Sequence, residues 1–355
     1  MRILIKLAAF AALATALTAN AWADENGEPA ITASRALSIG EVYTLPPAVL
    51  GAPRHIVIRT PTGYDEAADK TYPVLYVIDG GAEQDFPHIA GLVQSAEINA
   101  TFEPMIVVGV ETMNRRAEIS PPVKDATLYE EELGATPGGS MKFREFLATD
   151  VKPFVDEHFR TNGHDALMGE SLAGLFVVET LFKAPDMFDD YISVSPSMWW
   201  ENMEYAKEAS DYLDALPGGE KRLYLTLADE GYRHGEGVEK LVAALERSAP
   251  DTLQWLFVPL GQSENHASIY HVAALDALRS FYALPTQYGR PGKLLSGEPL
   301  GERTPEQQKR LDTPCTKETA RLTTPGEEAA NKNAKVYECL LFDFGPRASA
   351  GTFER

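Results

Sequence analysis

The chain has 355 residues, of which 44% are hydrophobic and 24% are charged. These proportions are typical of a globular protein with a large core and exclude disordered and fibrous classes. Its formal charge of −20 argues against nucleic acid as a partner, because phosphate binding requires a basic surface.

The first residues have the pattern of a secretory signal peptide. Arg2 and Lys6 precede an apolar run, and the sequence Ala-Trp-Ala ending at Ala23 has the small residues of a cleavage site. The alternative, a retained membrane anchor, is disfavoured because residues 7–17 are short for a span of about 20 residues. We predict a signal peptide at residues 1–23, no stable membrane anchor after cleavage, and a periplasmic or secreted protein.

Residues 54–282 alternate short β-branched runs with longer segments of helical period. This alternation is typical of βα units around a mainly parallel sheet, and several runs are apolar throughout, as strands buried on both faces should be. The predicted strands are residues 55–59, 74–79, 105–110, 166–168, 191–195, 223–227 and 253–259, and the predicted helices are residues 141–159, 172–184 and 267–282. We therefore expect an α/β catalytic domain at residues 24–284.

The character of the chain changes at residue 285. Prolines punctuate a polar, charged stretch that becomes strand-like only at residues 336–344. We predict that residues 285–355 are a C-terminal appendage of unassigned fold. It contains both cysteines of the chain, Cys315 and Cys339, and an oxidising compartment favours a disulfide between them over two buried free thiols. Two thiols without a histidine cluster do not form a zinc site.

A strand, a sharp turn and a helix carry the strongest functional signal. Gly169-Glu170-Ser171 lies between a predicted strand and a predicted helix, which is the nucleophile-elbow pattern of α/β-hydrolases. The small neighbours let the backbone turn tightly, and the following helix N-terminus stabilises developing negative charge. Ala173 occupies a position where the elbow usually has glycine. The pattern predicts Ser171 as nucleophile on an α/β-hydrolase fold, a mainly parallel central sheet flanked by helices.

A serine nucleophile needs a base, and the triad order in α/β-hydrolases is serine, acid, histidine. His266 follows the strand predicted at residues 253–259 and directly precedes a helix, which is the position expected of the base. Histidines that precede Ser171 are disfavoured by this order. His271 is predicted to be a structural residue of the helix, whereas His234, in the acid loop, competes with His266.

The acid is expected after the strand at residues 223–227, where Asp229 and Glu230 stand side by side. Either carboxylate could orient the imidazole, and the greater reach of the glutamate favours Glu230. The expected oxyanion donors are the backbone N–H of Leu172 at the elbow and that of Gly81 in the loop after residues 74–79.

Several stretches resemble the Putative esterase family. They are Tyr72-Pro73-Val74-Leu75-Tyr76-Val77-Ile78-Asp79-Gly80, Asn114-Arg115-Arg116 leading to Ser120-Pro121, the elbow, Ser195-Pro196-Ser197-Met198-Trp199-Trp200 and Glu264-Asn265-His266. The resemblance covers roughly residues 40–283. This family includes esterase D-like enzymes and the trilactone esterases of catecholate siderophores. It implies an α/β-hydrolase sheet, a pair formed by Ser171 and His266, and substrate contacts at Trp199 and Trp200.

These features predict an ester hydrolase acting on a small-molecule ester, with a siderophore-type ester as a candidate. No metal or organic cofactor is expected, because the sequence shows no ligand cluster or phosphate loop. An acyltransferase would use the same residues and differ only in the acceptor of the acyl group. A non-catalytic carbohydrate- or siderophore-binding protein could also keep the fold, but the intact Ser171 and His266 argue against that reading.

Overall fold

The computed structural model describes residues 35–46, 49–124, 126, 130, 134–230, 232–260 and 263–284. The chain divides into two units, residues 1–38 and residues 39–355. In the first unit, residues 35–38 are described and belong to no helix or strand. The predicted signal peptide, the C-terminal appendage and the predicted disulfide between Cys315 and Cys339 lie outside the described residues.

A mainly parallel sheet forms the centre of the second unit. Its strands are β1 (Glu41–Leu45), β2 (Arg54–Arg59), β3 (Tyr72–Ile78), β4 (Ile106–Val110), β5 (Thr161–Glu170), β6 (Asp190–Val194), β7 (Lys221–Leu227) and β8 (Leu253–Pro259). The described strands are ordered β1-β2-β4-β3-β5-β6-β7-β8. Strands β3 to β8 pair in parallel, while β2 pairs antiparallel with both β1 and β4. The predicted fold class is confirmed.

Helices pack on both faces of this sheet. They are α1 (Phe86–Ile98), α2 (Arg115–Glu118), α3 (Ser140–Phe146), α4 (Lys152–His158), α5 (Leu172–Lys183), α6 (Trp200–Lys207), α7 (Ala209–Asp214), α8 (Tyr232–Ser248) and α9 (Ile269–Tyr282). Because side chains alternate along a strand, Val74 and Tyr76 of β3 join the core with α3, α5 and α8. Leu75 and Val77 join the core with α1 and α9 on the other face. In the described part of the chain, no helix is long and apolar enough to span a bilayer.

The helix predicted at residues 141–159 is interrupted. Between α3 and α4, Leu147–Val151 forms a π-helical turn. Pro153 lies two residues after the end of that turn. Proline lacks the N–H of a regular helical bond, and its ring crowds the preceding turn. A wider π turn relieves this conflict. The extent of the predicted helix is close to the observed one, but its regularity is corrected.

Gly80 and Gly109 bring the end of β3 into close contact with β4. The N–H of Gly80 donates to the carbonyl oxygen of Val110 at 2.9 Å. A Cβ atom on either glycine would overlap the backbone of the other, so both positions require a residue without a side chain. This contact fixes the start of the loop that contains Gly81.

Candidate active site

Ser171 occupies a strained turn between β5 and α5. Its φ of 59° and ψ of −116° lie where residues other than glycine are rarely found. Its N–H donates to the carbonyl oxygen of Val194 at 2.9 Å, and its own carbonyl oxygen accepts from the N–H of Ser197 at 2.9 Å. A Cβ at Gly169 would lie 2.7 Å from that of Ala173, so the turn needs glycine before it. This is the geometry of a nucleophile elbow.

The hydroxyl of Ser171 is half-buried and lies 3.4 Å from the hydroxyl oxygen of Ser197. Among the described residues, no hydrogen bond joins it to His266. Hydrogen bonds between catalytic groups are often formed only when substrate is bound. The pairing of Ser171 with His266 therefore stays a prediction.

Glu230 is the carboxylate that contacts His266. Its Oε1 lies 2.9 Å from Nδ1 of the imidazole, and the glutamate side chain is 2% exposed against 42% for the histidine. The hydrogen bond that the imidazole donates to Glu230 raises the pKa of His266. Because Nδ1 faces the carboxylate, Nε2 is the nitrogen that can accept a proton from a serine. Asp229 is exposed, and its N–H donates to the carbonyl oxygen of Glu264 at 3.0 Å.

Ser195 holds the same carboxylate and was not singled out from the sequence. Its hydroxyl donates to Oε1 of Glu230 and accepts the N–H of Ala228 at 3.0 Å. Ser195 is fully buried, with φ of 42°. Burial alone would raise the pKa of Glu230, but the hydrogen bonds from His266 and Ser195 outweigh burial and lower that pKa. This carboxylate is therefore kept ionised.

Trp199 and Trp200 lie in different surroundings. Trp200 is 1% exposed and belongs to the core, so its predicted substrate contact is corrected: a side chain packed on all sides does not line a cleft. Trp199 is half-buried, and its indole N–H donates to Nε2 of His234 at 2.6 Å. That nitrogen lies 3.8 Å from Oε2 of Glu230. His234, which the sequence offers as an alternative base, is therefore a second neighbour of Glu230. Its Nε2 accepts the hydrogen bond from the indole of Trp199.

The two predicted oxyanion donors have different partners. Leu172 opens α5, where the first backbone N–H groups of a helix have no partner within it. The N–H of Gly81 donates to Oε1 of Gln84 at 2.9 Å, and Nε2 of Gln84 donates to the carbonyl oxygen of Thr112 at 2.8 Å. Gly81 can therefore donate to a substrate only when Gln84 turns away, and its role stays a prediction.

A carboxylate cluster, formed by Asp79, Asp85 and Glu170, lies at the same edge of the sheet. Asp79 accepts hydrogen bonds from Thr112 Oγ1 and from Nε of Arg115, the latter at 2.8 Å. Burial, followed by the charge of Asp79, raises the pKa of Asp85 to about 6. Burial also raises the pKa of Glu170 to about 7. Within the described ranges, no group of three or more His, Cys, Asp or Glu side chains could hold a metal ion.

The strand order and the strained elbow define an α/β-hydrolase fold. A solved structure with this fold, the BES protein from Bacillus cereus, is 26% identical to the chain with a TM-score of 0.62. The match covers 72% of this chain and 100% of that one. The chain belongs to the Putative esterase family, whose match spans residues 48–280, so the family resemblance seen in the sequence is confirmed.

Two characterised relatives share about half of the chain. The siderophore enterobactin esterase of Emericella nidulans is 29% identical over 181 residues, covering 45% of this chain and 59% of the relative. The ferri-bacillibactin esterase BesA of Bacillus subtilis is 27% identical over 186 residues, covering 49% of this chain and 64% of the relative. The chain thus spans less than two thirds of the length of either relative.

Proposed function

We propose that this chain is an exported serine hydrolase that cleaves carboxylic esters of the siderophore type. The main support for this proposal is the contact between Glu230 and Nδ1 of His266, because it gives the imidazole the orientation of a general base. The strained Ser171 at the end of β5 supplies the candidate nucleophile. Membership of the Putative esterase family supports ester hydrolysis. The names of the two relatives support a siderophore ester as the substrate class.

In the first half of the reaction, Ser171 Oγ attacks the carbonyl carbon of the ester while Nε2 of His266 takes the hydroxyl proton. Glu230 stabilises the imidazolium that forms. The carbonyl oxygen becomes negatively charged, and the N–H groups of Leu172 and Gly81 would donate to it. Collapse of this intermediate breaks the carbon–oxygen bond to the alcohol, which leaves with the proton from His266. The acyl group stays on Ser171 as an ester.

The second half removes this acyl group with water. Nε2 of His266 takes one proton from the water, and the oxygen attacks the acyl carbon. The bond to Ser171 Oγ then breaks, and the serine recovers its proton from the imidazolium. The products are the carboxylic acid and the free enzyme. Every proton lost by serine or water therefore passes through one nitrogen atom.

Two serines, 3.4 Å apart at their hydroxyl oxygens, allow a matched test of the nucleophile. Ser171→Ala should lower turnover of an aryl ester by about 10⁴-fold or more, as in triad knock-outs, and should abolish labelling by a fluorophosphonate probe. Ser197→Ala removes an equivalent oxygen and should keep the label. The proposal would be contradicted if Ser171→Ala were labelled, or if this variant kept a tenth of the wild-type turnover.

The substrate and the export of the protein need separate measurements. Hydrolysis of a catecholate trilactone and of a short-chain aryl ester by the purified mature protein would rank the substrate classes. Intact mass of material recovered from the periplasm or the medium should correspond to a chain beginning at residue 24. Thiol alkylation before and after reduction should show whether Cys315 and Cys339 are paired.

A further inference from the structure

Glu170 lies beside the candidate nucleophile at the edge of the sheet. It is the last residue of β5 and directly precedes Ser171. Strands β3 and β5 are adjacent and parallel, so Asp79 and Asp85, which follow β3, lie at the same edge of the sheet. The charge of Asp85 is among the causes that raise the pKa of Glu170, after burial itself.

Few protein cations face the carboxylates at this edge, and the charge that most lowers the pKa of Glu170 is that of His266. Arg115 is already paired with Asp79, with Nε and Oδ2 2.8 Å apart. Asp85 Oδ1 lies 3.8 Å from Nδ1 of His88, and burial lowers the pKa of His88 to about 4, so this imidazole is neutral at neutral pH. Among the described residues, Glu170 has no hydrogen bond or ion pair. In the described part of the chain, neither Glu170 nor Asp85 therefore forms an ion pair with a lysine or an arginine.

A buried hydroxyl beside these carboxylates also lacks a partner. Tyr270 is 6% exposed, and its OH makes no hydrogen bond with the described residues. Its ring lies 5.0 Å from that of His88, which faces Asp85. After burial, the charges of Asp85 and Glu170 are the largest causes that raise the pKa of Tyr270. Buried hydroxyls normally have a partner, so this oxygen is free to accept a hydrogen bond from a ligand.

We propose that Glu170 and Asp85, together with the hydroxyl of Tyr270, bind a protonated amine on the ester substrate. The inference rests on the proposed esterase function and specifies its substrate class. An ammonium group carries three N–H donors and no acceptor, which matches two carboxylates and a hydroxyl oxygen. Anionic esters are disfavoured at the same place, because like charges in a partly buried site repel.

The test uses pairs of esters that differ only in charge. The p-nitrophenyl esters of ε-aminohexanoic acid and heptanoic acid place an ammonium or a methyl group on the acyl side. Aminobutyl butanoate and pentyl butanoate place the same difference on the alcohol side. In at least one pair, kcat/KM should favour the ammonium ester by about tenfold, and Glu170→Gln should remove most of that preference. Glu157→Gln, on exposed α4, changes the net charge equally and should leave the ratio unchanged.

The dependence of this ratio on pH gives a second readout. The groups that act on Glu170 are His266, Asp85, Glu230 and Arg115. As pH rises through about 7, Glu170 becomes ionised and its attraction for ammonium increases. The ammonium-to-neutral ratio should therefore rise between mildly acidic and mildly alkaline pH in the wild type. It should rise much less in Glu170→Gln. Titration of His266 affects both esters of a pair and cancels in the ratio.

Labelling by the fluorophosphonate separates the two hypotheses. Hexylammonium should slow labelling of the wild type more than hexanol does, and Glu170→Gln should abolish that difference. Ratios near one in both ester pairs, or equal ratios in wild type and Glu170→Gln, would overturn the amine subsite while leaving the esterase proposal intact. Absence of both labelling at Ser171 and ester turnover would instead overturn the proposed function.

Discussion

Replacing Glu230 with glutamine tests the acid of the proposed triad. The change keeps the shape of the side chain and removes the charge that lies 2.9 Å from Nδ1 of His266. At an effective dielectric constant near 20, that charge would stabilise an imidazolium by about 6 kcal/mol. The imidazole is 42% exposed, so solvent screening reduces the figure to about 3 kcal/mol. We expect kcat to fall by about 10²-fold or more.

The assay compares Glu230→Gln with Asp229→Asn on one aryl ester, with folding checked by circular dichroism. Asp229→Asn is the matched control, because this neighbouring carboxylate is exposed and its backbone, not its side chain, contacts the loop before His266. The control should be much milder. A loss below tenfold in folded Glu230→Gln would refute the reasoning, and equal mild losses would indicate a dyad of serine and histidine.

The pH profile of Glu230→Gln tests whether Glu230 raises the pKa of the candidate base. Glu230 raises the pKa of His266, and the base must be unprotonated to act. In the wild type, kcat/KM should therefore fall as pH drops through a value above the ordinary histidine pKa. Glu230→Gln removes the cause of that increase, so the acidic limb should move to lower pH. A limb that stays in place would show that Glu230 does not interact with the base.

Substitutions at three further positions test other contacts. Ser195→Ala removes a hydrogen-bond donor to Glu230 and should lower kcat about tenfold. Ser195→Thr keeps a hydroxyl and should partly restore kcat in the same assay. An unchanged kcat in Ser195→Ala would exclude a positioning role. Glu179→Ala should destabilise the protein by about 3–5 kcal/mol in urea unfolding, because Arg144, 2.7 Å away, loses its buried partner; a loss under 1 kcal/mol would contradict this. Gly109→Ala should reduce the melting temperature or the soluble yield, since its Cβ would overlap a backbone carbonyl oxygen.

The sequence predicts the sheet well because most of its strands are buried on both faces. β4 consists of five apolar or glycine residues, all buried, and such runs are recognisable without knowledge of the fold. β1 was not predicted, because this edge strand pairs only with β2 and most of its residues are exposed. α8 was also missed, although its apolar positions recur at helical spacing.

The candidate site is only partly readable from the sequence. Ser171 and His266 follow from a local motif and from chain order. The choice of Glu230 over Asp229 depends on the path of a loop, where the backbone of Asp229 bridges to Asn265 and the next side chain turns inward. The role of Ser195 depends on the pairing of β6 with β7, which no local pattern specifies.

The order of the strands also links the proposed esterase activity to the rate of folding. Glu170 ends β5, the acid follows β7, and the candidate base follows β8, so the site is complete only after these parallel strands have paired. Parallel pairing joins segments that are distant along the chain, and such contacts form slowly. Helices α5 and α9 can gain their backbone hydrogen bonds earlier. After dilution from denaturant, recovery of helical circular dichroism would therefore precede recovery of turnover, which reports the assembly of the sheet.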